Sequence, residues 1–82
     1  MSDVEARAAA ARRLLEDPLL TEALGNIRGA AIKAWESTSI GSQQEREVAW
    51  LTVKVVNRIE AELENIITDG MIAAKRVQNP IR

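Results

Sequence analysis

Proline occurs only twice in these 82 residues, at Pro18 and Pro80, so the whole stretch from Gln43 to Gln78 is free of it. Proline disfavours helical geometry in the residue before it and suits the first position of a new helix. Asp17-Pro18 therefore divides the chain, and Asn79-Pro80 ends any helix that reaches so far. Around these marks apolar residues recur at spacings of three and four, the helical period, rather than at the alternation of a strand. The expected class is all-α.

Ser2 followed by Glu5 is a capping-box signature, which predicts a helix over about 3–16. Its Ala-rich composition favours helix strongly. Val4, Ala8, Ala11 and Leu15 form one narrow apolar stripe. Asp17 is placed to cap a second helix over about 18–37, with a main stripe of Leu20, Leu24, Ile27, Ala31 and Trp35, widened by Ala23, Ala30 and Ala34. Gly25 and Gly29 lie inside it, one turn apart, and the expectation is a close helix–helix crossing where a side chain would clash.

Ser37-Thr38-Ser39-Ile40-Gly41 has the polar, glycine-closed character of a tight link between antiparallel helices. A positive φ at Gly41 would make Gly41→Val destabilising. Ser42 and Glu45 form a second capping-box signature, so a third helix starts at Gln43. Its stripe of Val48, Leu51, Val55, Ile59, Leu63 and Ile66, broadened by Val56 and Ile67, is expected to pack on the second helix. Ala49, Trp50 and Val53 form a second apolar side. Gly70 leaves two endings open: termination near 69 with Gly70 as a left-handed cap, or continuation to 78 at a length of about 54 Å. The architecture expected is an antiparallel hairpin with a long C-terminal helix and an Ala-rich N-terminal helix, as a single domain over 1–82.

So short a chain buries only about 60% of its unfolded surface, and its core would be Ala, Val, Ile and Leu without Phe or Tyr. Self-association, or docking on a larger protein, is the expected way of completing it. With neither histidine nor cysteine, the commonest general base and metal ligand is missing, along with thiolate chemistry and disulfides. Glu60 and Glu64 lie one turn apart, with Glu62 and Asp69 nearby, and read as a solvated acidic face rather than a cation site. The glycines match no phosphate-binding spacing. A non-enzyme without cofactor, metal or catalytic residues is expected.

Eleven Lys and Arg balance twelve Asp and Glu, whereas phosphate binding shows as a basic excess or a basic face. Lys75, Arg76 and Arg82 could touch DNA weakly, but they fit better as cations favouring the C-terminal end of a helix dipole. No apolar run approaches the ~20 residues of a membrane span, and no signal peptide is visible at Met1–Arg12. Trp35 and Trp50, the only aromatics, flank the hairpin turn. They read either as a core plug at its closed end or as an interface hot spot. The recognition surface expected is Trp50, Val53 and Ala49, with Trp35 beside the turn; Met71 and Val77 mark a second one at the far end.

The pattern A-x-x-L-L-x-D-P-L-L-x-x-A-L, here Ala11 to Leu24, precedes Trp35-Glu36-Ser37-Thr38 and Glu45-Arg46-Glu47. In this the chain resembles short helical proteins encoded in the structural and packaging gene regions of tailed bacteriophages and prophages. The resemblance implies a late-expressed component of virion assembly, found in the virion or the bacterial host cytoplasm. It would act by self-association and by docking on a phage structural or packaging protein. A small DNA-associated packaging or regulatory protein and a phage inhibitor of a host protein are the alternatives. The resemblance brings no functional residues with it.

Overall fold

A computed structural model describes residues 2–78 of the chain, with side-chain surroundings described for 2–76. Helices α1 (Asp3–Glu16), α2 (Pro18–Glu36) and α3 (Gln43–Gln78) follow one another, and the protein is all-α. Starts and stops follow local chemistry. The Ser2 Oγ accepts from the Glu5 backbone N–H at 3.2 Å, satisfying one orphan donor of the first turn. The Ser2 hydroxyl in turn donates to Glu5 Oε1 at 3.1 Å. Asp17, in extended geometry, closes α1 by donating its N–H to the Leu14 carbonyl at 3.2 Å, and Pro18 opens α2.

At the end of α2, hydroxyls take up the exposed carbonyls. Ser37 Oγ donates to the carbonyls of Lys33 and Ala34, and Thr38 Oγ1 donates to that of Trp35 at 2.7 Å. Arg46 Nε then donates to Thr38 Oγ1 at 2.9 Å, tying the turn to the first coil of α3. α3 starts at Gln43 as expected, with the Ser42 carbonyl accepting from the Arg46 N–H, but the Ser42 hydroxyl pairs with that of Ser39 at 2.9 Å instead of with Glu45. None of the glycines among the described residues has positive φ. Gly41 thus turns the chain with ordinary geometry, and the reason for expecting Gly41→Val to be destabilising is gone.

Contacts divide the chain into two compact units, residues 18–59 and residues 1–17 with 60–82. The first is the α2–α3 hairpin. Its seam is built of Leu24 and Ala31 on α2 and Ala49 and Val56 on α3, all buried. Arg28 Nε donates to Asn57 Oδ1 at 3.2 Å across it. The seam therefore lies about a quarter-turn of α3 away from the stripe expected to form it. Val48, Leu51, Val55 and Ile59 are exposed instead, as are Ile27, Ala23, Ala30 and Ala34 on α2. Small residues at the point of nearest approach let two helix axes close up, and the bulkier aliphatic side chains are left on the flank.

In the second unit, α1 lies against the last part of α3. Ala8 and Ala11 are buried, Leu15 is half-buried, and Leu63, Ile66 and Ile67 are half-buried opposite them. α3 runs straight through Gly70, which settles its two possible endings in favour of continuation. Gly70 itself is buried, and a Cβ built on it would overlap the Ala8 Cβ while sitting 3.4 Å from the Val4 carbonyl oxygen. The close crossing anticipated at Gly25 and Gly29 is here instead.

Around Gly25 and Gly29 nothing lies within 4 Å of an added Cβ. Each then carries only the entropic cost of glycine in a helix. Gly25→Ala and Gly29→Ala are expected to stabilise by about 0.5–1 kcal/mol each, read as a rise in melting temperature.

Candidate functional site

The acidic residues singled out for chemistry lie along α3. Glu60 is half-buried, while Glu62, Glu64 and Asp69 are exposed along α3. Among the described residues no three acidic side chains come close enough to hold a metal ion. Lys75 and Arg76 occupy the last turn of α3, exposed, where the dipole favours cations. Arg82 and the side chain of Val77 lie outside the described residues. Met71 is half-exposed on the second unit. No helix among the described residues is long and apolar enough to cross a membrane.

Trp35 and Trp50 are brought together, as the turn between them requires. They line one shallow cleft with Gln43, Arg46 and Glu47. Trp35 is 51% exposed and Trp50 54%, so neither plugs a core. Lys54 Nζ sits 5.2 Å from the Trp50 ring centroid, a cation–π contact on the solvent side. Ala49 does not share the outward face with Trp50: it is buried in the hairpin seam, and Val53 is half-buried beside it. Trp50 departs from its neighbours because one residue along a helix turns the side chain by about 100°.

The strongest feature of the hairpin lies on the other side of the seam. Leu24, Ile27, Val48, Leu51, Thr52, Val55, Val56 and Ile59 line a continuous groove between α2 and α3. Its walls are almost wholly aliphatic. The one hydroxyl among its lining residues, Thr52 Oγ1, is turned back onto the Val48 carbonyl at 2.8 Å. Val48, Leu51, Val55 and Ile59 are each between 43% and 60% exposed, and Ile27 contributes from α2. Monomeric soluble proteins seldom expose so many large aliphatic side chains contiguously unless something docks there.

Sequence reasoning found these residues and placed them in the wrong role. It counted the large aliphatics of α3 as the seam and treated Ala49 as an outer residue. The available signal was surplus: a single partner helix cannot cover Val48, Leu51 and Val55 together with Ala49, Val53 and Val56. Comparison with protein-family models, curated proteins and solved structures returned no match.

Proposed function

We propose that this protein is a non-enzymatic helical docking module that captures another polypeptide through the aliphatic groove of its α2–α3 hairpin. The exposure of Ile27, Val48, Leu51, Val55 and Ile59 along one groove is the observation that carries the reading. Fully burying one such side chain is worth about 2 kcal/mol, so covering the exposed halves of five yields roughly 5 kcal/mol. That offsets the lower end of the roughly 4–15 kcal/mol that association costs. A partner that brings an aliphatic face of its own supplies the rest. The setting we propose is the assembly of a tailed-bacteriophage particle, with a larger structural or packaging protein among the partners; the likeness of the Ala11–Leu24 pattern supports it. Mass spectrometry of purified particles tests the setting.

The docking face is tested separately. A photo-crosslinking amino acid replaces Leu51 or Val55 in cells that make the protein, with Asn26 on the outer side of α2 as control. Adducts to a polypeptide are expected from positions 51 and 55 and none from 26. Absence of any adduct at 51 and 55 would remove the groove from consideration.

A further inference from the structure

We propose that the occupant of the groove is a second copy of this chain, with the two α3 helices packed antiparallel about a two-fold axis at the level of Val53. The proposal rests on the docking reading above and specifies its partner. It follows from how the residues of α3 are distributed about that level. In an antiparallel two-fold pair, each residue on one side of the axis meets the residue equally far beyond it in the other copy. Leu51 then meets Val55 of the other copy, and Val48 comes within one position of Ile59, so the aliphatic residues that line the groove lie against one another. Ile27 of α2 belongs to the same groove and adds to its apolar wall.

Charge decides between the two directions of packing. Glu47 and Arg58 are exposed, eleven positions apart on α3, and project within about 20° of each other. Both lie on the flank of the Leu51–Val55 stripe that faces away from the Ala49–Val56 seam. In the antiparallel register Glu47 of one copy comes within one position, about 1.5 Å along the axis, of Arg58 of the other on the same flank, twice over by symmetry. Gln44 comes beside Glu62 in the same way, an amide against a carboxylate. Parallel two-fold packing would put the two Glu47 on opposite flanks of the interface, and likewise the two Arg58, so no Glu47–Arg58 pair of this kind would form. A net charge of -1 per chain adds little long-range repulsion between copies. A different protein could supply aliphatic side chains, but only a second copy automatically places these opposite charges at matched levels.

The test uses the purified 82-residue chain. Sedimentation equilibrium should show a concentration-dependent dimer. The natural sequence has no cysteine, so single cysteines report pairing without background. Under mild oxidation, a mixture of Leu51→Cys and Val55→Cys proteins should form the mixed disulfide in preference to either symmetric one. Glu47→Arg and Arg58→Glu should each weaken the dimer, by roughly tenfold. The combined variant with both changes should recover most of that loss. A strictly monomeric wild-type chain would overturn the second copy as occupant. Photo-adducts from Leu51 to a different polypeptide would then leave the docking reading intact. A dimer whose symmetric disulfides dominate, or in which the double charge swap brings no recovery, would overturn the antiparallel register.

Discussion

Gly70→Ala is expected to release α1 from α3 while the α2–α3 hairpin stays folded. The new methyl would occupy the place of the Ala8 Cβ, and the Val4 carbonyl oxygen closes the space on another side. Neither obstacle is the tip of a flexible side chain, so the helices must separate. Overpacking of this kind costs about 1–3 kcal/mol, against a gain of at most about 1 kcal/mol in helix propensity. The sign is therefore unfavourable. α1 has little with which to resist, because its buried residues are Ala8 and Ala11, whose methyls contribute small areas. A helix of 14 residues is also marginal without packing. Hydrogen exchange should show protection lost over Asp3–Glu16 and kept in α2. Ala8→Gly added to Gly70→Ala makes the room again, so part of the loss should return as a favourable coupling between the two sites. Unchanged protection in α1 after Gly70→Ala alone would contradict the contact.

Leu24→Ala is expected to cost about 2–4 kcal/mol of hairpin stability, and Leu51→Ala well under half as much in dilute solution. Both remove the same atoms. Leu24 is 8% exposed in the seam, so its loss leaves a cavity beside Val56. Leu51 is half-exposed on the groove side, and water fills the space its truncation leaves. The helical periods of α2 and α3 alone predict comparable costs, since they place Leu24 and Leu51 alike in the seam. Thermal unfolding at low concentration measures the difference directly. At higher concentrations the cost of Leu51→Ala should grow more than that of Leu24→Ala, because Leu51 stands half-exposed in the groove whereas Leu24, which also borders it, is already almost wholly buried in the hairpin.

Helix positions were legible from residue chemistry because their determinants are local. Ser2 with Glu5, Asp17 with Pro18, and Ser42 before Gln43 mark starts, and the hydroxyl-rich Ser37-Thr38 marks an end. Each acts through backbone groups within about one turn, so sequence neighbours suffice to read it. The closeness of Trp35 and Trp50 followed as simply, since both flank the turn. Rotation of the helices about their own axes was not legible. α3 carries apolar residues over more of its circumference than one partner can cover, and periodicity does not say which part faces inward. Only the packed structure shows that Ala49 and Val56 meet α2, which turns Val48, Leu51 and Val55 outward.

Glycine shows the same division. Local reasoning expected the close crossing at Gly25 and Gly29 and left Gly70 as either a helix cap or an interior residue. Tertiary structure distinguishes them, because an absent Cβ matters only where another backbone arrives. That happens at Gly70, where Ala8 and the Val4 carbonyl close in, and at neither of the others. Sequence by itself determined where the helices start, because hydrogen bonding and capping act over a few residues, and left the end of α3 at Gly70 open. The tertiary structure alone decided which face is core and which is left for a partner, because close approach depends on side-chain volumes on two helices at once.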